Sequence, residues 1–399
     1  MTSFTCKDSF DRSLILIKIS LWLAGVNVFH NNEKFLSKNI SYLFYVNFIW
    51  LHTAVSGELY CIYGLIQDEK SLEEISIIAP FPLICALGTI KAASIFMNKH
   101  AAVTVLKKLR EIHPDILVHG EKYFENHKVP SDIQKRIRII DSTKQVLFKF
   151  VICMCLVVPL TSMAMDYNKF GWTELKLPYH VRYFYDPYSM PWWPGEYIHH
   201  VGSVIVYVNI FGADALLYAF CLYLRMHFEI LSIDFERLTD SNEDLRELVL
   251  RHQELIELVN EVQNIYSTSM LFNIIISSFT ICFCGFNITL ITDVGISFAF
   301  LSFLLMSLYQ IFMLCFFGDM ISSTKIGDAI YRNKWYEAKP AFKRSLFIII
   351  MRSRKPCVLS ASKFATLNLT AFTKVRLSRV YGLCRTRRPG FDYRRNNNK

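Results

Sequence analysis

Charge is scarce in this chain. Asp, Glu, Lys and Arg make up only 20% of its 399 residues, against 52% hydrophobic residues. The mean hydropathy is +0.27. That balance excludes a disordered or collagen-like chain and argues against an ordinary soluble enzyme. Chemistry-bearing motifs are missing too. There is no GxxxxGK[ST], no GxSxG, no HExxH and no GxGxxG following a strand, so neither an enzyme nor a cofactor is expected. Eleven cysteines are present. Eight lie inside apolar runs, where each packs as a small hydrophobe. The CxC pairs 153/155 and 282/284 lack zinc-type spacing, so no metal is expected either. The net charge of +10 is concentrated: residues 376–399 hold eight Arg/Lys against Asp392 alone. No basic face remains for phosphates, and no nucleic-acid partner is expected.

What is abundant is long apolar blocks and aromatics, with 32 Phe and 20 Tyr. Blocks lie at 42–65, 75–97, 146–166, 198–224, 268–291 and 296–317. Each is long enough to cross a ~30 Å hydrocarbon layer as a helix. A weaker seventh block, 356–375, is interrupted by Lys363 and rich in Ser and Thr. The fold class expected is an all-α membrane protein of seven transmembrane helices. Expected regions are an N-terminal amphipathic segment (1–41), helices 1 to 6 with their extensions (42–317), a cytoplasmic anchor segment (318–355), a short seventh helix (356–375) and a basic tail (376–399). Residues 14–29 compete as a signal peptide, but the mixed charges before them and the absence of an A-x-A site favour a segment lying on the membrane face.

Basic residues orient the bundle. Residues 1–41 hold five Lys/Arg, the 98–145 connection ten and the 318–345 connection six; 66–74 holds one, 167–197 three and 292–295 none. The expectation is a cytoplasmic N-terminus. Seven crossings then place the basic tail outside, against the positive-inside tendency. In the 225–267 connection Leu245, Leu248, Leu255, Leu258, Val262 and Ile265 recur at helical spacing, and 98–145 reads similarly around Val103, Leu106 and Leu109. Helices 4 to 6 are expected to extend into the cytoplasm. They form there either a cap on one subunit or a subunit-contact platform.

Ionisable residues within the blocks are few. Lys91 and Lys149 lie toward cytoplasmic ends, where they can snorkel. Glu58 and Asp214 are either partnered carboxylates or groups bordering a wet cavity. His199 and His200 are adjacent, point about 100° apart on a helix and are assigned a structural or pocket-lining role rather than a metal. The aromatic, proline-stiffened 167–197 connection is either an interfacial belt or a lid over a cavity. Outer-half residues suited to an apolar ligand are Phe81, Met163, Met165, Trp172, Tyr207, Phe211, Phe298, Phe300 and Phe303.

Residues 314–336, LCFFGDMISSTKIGDAIYRNKWY, resemble the conserved stretch of the insect odorant receptors through Cys315, Gly318, Ser323, Ala329, Tyr331 and Trp335. Supporting stretches are Arg344-Ser-Leu, Met351-Arg-Ser-Arg-Lys-Pro, Leu177-Pro178, Tyr185-Asp186-Pro187, and Asp214-Ala-Leu-Leu with His227, His252, Ser267 and Leu271. The resemblance spans roughly residues 10–375. It implies a tuning subunit of a ligand-gated, non-selective cation channel. That subunit would assemble with an olfactory co-receptor as a heterotetramer, sit in the plasma membrane among lipid, and bind a volatile odorant or pheromone in the outer half. The end departs from the family pattern: after Val375 the chain turns abruptly basic, as an altered or misjoined last exon would make it. A G-protein-coupled receptor would want Asp/Glu-Arg-Tyr after helix 3 and Asn-Pro-x-x-Tyr ending the last helix. A transporter would want internal repeats and broken helices. None of these features is present in the sequence.

Overall fold

The structure, a computed structural model, describes residues 6–29, 34–112, 157–239, 241–290, 294–322, 326–362, 364–370 and 373. In chain order the helices are α1 (Cys6–Ser13), α2 (Ile15–Leu23), α3 (Lys34–Gln67), α4 (Leu72–Ile78), α5 (Pro80–Met97), α6 (Lys99–Glu111) and α7 (157–170). They continue with α8 (Trp193–Ile210), α9 (Gly212–Arg237), α10 (Asn242–Leu290), α11 (Val294–Ser322), α12 (Ile326–Arg332) and α13 (Pro340–Ser353). A two-stranded antiparallel hairpin, β1 (Ser360–Ala361) and β2 (Ala365–Thr366), follows. Four helical stretches among the described residues are long and apolar enough to cross a membrane: Leu72–Met97, Trp193–Arg237, Asn242–Leu290 and Ser297–Arg332. The first apolar block is carried by the 34-residue α3. Of the third block, residues 146–156, including Lys149, lie outside the described residues.

Local chemistry sets several boundaries. The Ser71 hydroxyl accepts from the Glu74 N–H at 3.4 Å and caps α4, a Ser-x-x-Glu start. Pro80, which has no N–H to lose, opens α5. Ser241 accepts from the Asp244 N–H at 3.3 Å where α10 begins.

The 49 residues of α10 span about 74 Å at ~1.5 Å per residue, more than twice a ~30 Å hydrocarbon layer. The extension foreseen for 225–267 is therefore continuous with helix 5. Its apolar stripe, from Leu245 to Ile265, is buried at every predicted position. In α6 the buried face is Ala102, Val105, Leu106 and Leu109, with Val103 beside it. The central element is α9, buried on all sides from Gly212 to Leu224, as expected of a helix apolar all round. Around it pack α2, α10, α11 and α12. At its end the Asn333 side-chain amide donates to the carbonyls of Phe235, Glu236 and Leu238 at 3.0, 3.1 and 2.8 Å, satisfying groups that a helix C-terminus leaves open.

The N-terminal segment forms α1 and α2. Phe10, Leu14, Ile17 and Leu21 are buried against the bundle, the Phe10 ring meeting Tyr223 of α9 at a tilt, centroids 4.6 Å apart. The opposite side presents Ile15, Ile19 and Trp22 outward, the two-faced pattern of a helix between protein and lipid.

Two expectations are corrected. Lys91 does not snorkel: it is buried and pairs with Asp214 at 2.7 Å. Residues 356–367 do not begin a seventh helix. Pro356 and the Ser/Thr-rich run disfavour helix. The chain turns at Ser362, φ +48°, in a hairpin whose neighbours Leu359 and Leu367 are buried in the core. The Gln263 side chain of α10 holds β1 as a peptide would, donating to the Ser360 carbonyl at 2.6 Å and accepting its N–H at 2.7 Å. Helical residues resume at 369–370, and the basic tail 376–399 lies outside the described residues.

Candidate ligand site

The connection after α7 folds back between the helices. Leu177, Tyr179 and Val181 are buried with Ala54 of α3, and Phe81 of α5 packs against them. Its backbone is bonded to α3: the Arg182 N–H donates to the Gly57 carbonyl at 3.1 Å. Gly57 also makes room for the Tyr183 ring, since a Cβ there would fall 2.5 Å from it. Trp193 Nε1 donates to the Lys176 carbonyl at 3.0 Å, and Lys176 Nζ reaches Asp166 at 2.6 Å and Ser162 at 2.7 Å, tying the connection to α7 and α8. The Tyr188 N–H closes an Asx turn on Asp186 at 3.0 Å. The connection is thus a packed cover, whereas a simple belt would leave Leu177 and Tyr179 at the surface.

Beneath it, rings from three elements converge. Phe81 meets Phe303 of α11 edge-on at 5.1 Å and Tyr179 at 5.7 Å. Tyr179 stacks flat on His200 of α8 at 3.9 Å and hydrogen-bonds Ser203. One turn inward, Tyr207 lies against Gly88 of α5, hydrogen-bonds Gln310 of α11 and meets Phe211 edge-on at 5.1 Å. Such offset and edge-on pairs are favourable beyond the area they bury. The cluster also contains a carboxylate. Glu58 is 2% exposed, its Oε2 has no hydrogen-bond partner among the described residues, and Tyr179, Tyr183 and Cys85 lie in its field. At the rim Tyr185 donates to Glu196 Oε1, and burial together with that carboxylate pushes its phenol up to about 12. Further inward, a cavity of about 20 Å³ lined by Phe44, Leu51, Thr89, Val206 and Ile210 has room for about one water and is far too small for an odorant.

Of the nine sequence-predicted ligand residues, the structure brings Phe81 and Phe303 into direct contact and sets Tyr207 and Phe211 together below them. Phe300 is buried. Met163 is half-buried and its Sδ receives the Lys176 N–H at 3.4 Å. Met165, Trp172 and Phe298 are 57%, 63% and 49% exposed and lie outside the packed cluster. Sequence reasoning missed Tyr179, Ser203, Glu196 and Gln310; their side chains matter only through partners more than twenty residues away or on another element. His199 and His200 lie side by side near the start of α8. They do diverge from each other, but both face Glu196, one turn earlier.

The motif residues have a structural use. Cys315 is buried against Ile281 and Ile311, and Ala329 is fully buried where α12 meets α9. Gly318 passes the hairpin: a Cβ there would lie 2.6 Å from the Leu367 carbonyl oxygen. Tyr331 and Trp335 sit at the surface with ring centroids 6.4 Å apart, and Ser323 lies outside the described residues.

These features define a multi-pass helical membrane protein with a covered aromatic cluster. The family model described as 7tm Odorant receptor matches residues 72–377, and the chain belongs to that family. It is 27% identical over 353 residues to Odorant receptor 67c of Drosophila melanogaster, covering 83% of this chain and 84% of that one. It is 27% identical to Odorant receptor 85b of the same fly, covering 88% and 91%. The solved olfactory receptor OR5 of Machilis hrabei, in complex with eugenol, superposes with a TM-score of 0.80 at 16% identity, covering 94% of this chain and 97% of that one. That likeness carries the seven-transmembrane fold. The chain is an odorant receptor subunit, not an enzyme.

Proposed function

We propose that this chain is the tuning subunit of an odorant-gated, non-selective cation channel. It assembles with an olfactory co-receptor as a heterotetramer in the plasma membrane, with its N-terminus in the cytosol. A small, mostly apolar volatile molecule, an odorant or pheromone, binds among Phe81, Tyr179, Tyr207 and Phe303. The observation carrying this reading is the convergence of α5, α11 and the folded-back connection on one set of rings in the outer half. A ligand that binds this cluster better in the open state shifts the population toward it. Glu58 and His200 add polar atoms to an apolar wall, which suits a ligand bearing one hydroxyl or carbonyl. The Machilis receptor's eugenol is such a molecule. The co-receptor contact is supported by the cytoplasmic region, where α13 turns Phe347, Ile348 and Met351 outward while Phe342, Leu346 and Ile349 fill the core.

The test is a panel of volatile alcohols, esters and phenols applied to cells expressing this chain with and without the co-receptor. Inward current that needs both subunits and no nucleotide supports the proposal. Nucleotide-dependent current from this chain alone would overturn it.

A further inference from the structure

The first turns of α8 carry Glu196, His199 and His200, the last of which also packs on Tyr179 in the aromatic cluster. Glu196, His199 and His200 stand at i, i+3 and i+4, hence on one helical face. One ligand atom from each lies within 4.8 Å of the others. Glu196 Oε2 is 3.6 Å from His199 Nδ1 and 3.9 Å from His200 Nε2. Neither distance is a hydrogen bond. Both are close to the separation of neighbouring ligands around a tetrahedral ion, about 3.3–3.6 Å for bonds of ~2.0–2.2 Å.

The surroundings prepare these atoms as acceptors. Thr53 Oγ1 donates its proton to the Trp50 carbonyl at 2.7 Å. His199 Nε2 lies 3.1 Å from that same carbonyl and 2.9 Å from Thr53 Oγ1. A carbonyl only accepts, so Nε2 carries the hydrogen and Nδ1 turns its lone pair toward Glu196. An imidazole fixed by a carbonyl on one nitrogen and open on the other is the usual supporting arrangement of a metal-ligating histidine. Tyr185 occupies Glu196 Oε1 and leaves Oε2 without a partner among the described residues. His200 is fully buried, its ring held flat on Tyr179, and neither nitrogen meets a hydrogen-bond partner among the described residues. Buried polar atoms without partners are uncommon in native folds and mark a missing occupant.

We propose that Glu196, His199 and His200 bind a divalent ion of the zinc class at the outer end of α8. Two imidazoles and one carboxylate suit zinc, and disfavour magnesium and calcium. Three protein ligands leave one coordination position for water. Glu196 and His199 keep partial exposure, side chains 13% and 17%, so the ion reaches the site from the outer aqueous side. Once bound, it joins α8 to α3 through His199 and to the covering connection through Glu196 and Tyr185. It thereby stiffens the cover over the aromatic cluster. The binding itself does not depend on the odorant reading.

The test is titration of the detergent-solubilised full-length chain with Co²⁺, read by visible absorption, without odorant or co-receptor. The expected result is one saturable equivalent with the intense bands of a tetrahedral site, displaced by Zn²⁺ and not by excess Mg²⁺. His200→Phe keeps the stack on Tyr179 and removes both nitrogens. Glu196→Gln keeps its size and the Tyr185 contact. Tyr185→Phe removes only the support and should weaken binding about 10–100-fold, with the two ligand substitutions losing at least as much. Absence of a saturable band, Mg²⁺ competing as well as Zn²⁺, or unchanged Co²⁺ affinity in both ligand variants would overturn the proposal.

Discussion

Lys91 Nζ of α5 lies 2.7 Å from Asp214 Oδ2 of α9, with the two side chains 4% and 10% exposed. The Phe211 ring covers the pair at 5.8 Å from the ammonium. Two charges that would each be costly alone in a bilayer are thus neutralised against one another across the interface of two membrane helices. Removing one partner leaves the other buried and unpaired. Lys91→Met or Asp214→Leu should each destabilise the fold by about 3–5 kcal/mol, while the double substitution Lys91→Met/Asp214→Leu recovers most of that loss. Thermal midpoints of the solubilised receptor read this directly. Additive losses would show that the pair is not coupled.

The aromatic cluster makes a second prediction. Phe303→Ala and Tyr207→Ala should each raise the half-maximal odorant concentration about tenfold, the equivalent of ~1.4 kcal/mol of contact energy. Met165→Ala and Trp172→Ala, both exposed, should shift it by much less. Dose–response curves in co-expressing cells decide. Equal shifts in all four would count against the cluster as the binding site.

Gly318 admits the Leu367 backbone. Gly318→Ala places a methyl 2.6 Å from a carbonyl oxygen, and backbone cannot yield as a flexible side chain can. A loss of about 1–3 kcal/mol is expected. It should appear as reduced surface delivery and a lower thermal midpoint. Trimming the neighbour with Leu367→Ala should not restore it, since the closest atom is main chain.

Asn333 supplies donors to three carbonyls at the end of α9. Asn333→Ala should cost about 1–3 kcal/mol, the usual penalty for buried groups left without partners. Hydrogen exchange should rise first at residues 235–238. Uniform protection there would show that another group takes over the cap.

Accessibility of an epitope tag at residue 1 tests the orientation. Staining only after permeabilisation is expected from the five Lys/Arg of residues 1–41. Staining of intact cells would reverse every inside and outside assignment made above.

Much of the architecture was legible in the sequence because lipid imposes a strong local rule. A spanning segment must be apolar over its whole length and must satisfy its own backbone, which leaves helices. The blocks at 75–97, 268–291 and 296–317 therefore became helices as expected. The stripe from Leu245 to Ile265 revealed the extension of α10 because helical periodicity is also local. The start of the 356–375 block misled for the same reason: composition counted its apolar residues, whereas Pro356 and the pairing of Ser360 with Gln263 decided the shape of residues 356–362.

Only the tertiary structure could decide which distant groups meet. Phe81 and Phe303 are 222 positions apart in the chain and Lys91 and Asp214 are 123 apart, so no window of sequence contains either pair. The Glu-x-x-His-His spacing stood in plain view, yet its meaning came from Thr53, Trp50 and Tyr185, which arrive from other elements to orient it. Hydropathy is a property of each segment by itself, and it marks which segments are apolar enough to span a membrane. Packing depends on shape and on the pairing of buried polar atoms between segments, and that is what places the rings, the ion pair and the histidines.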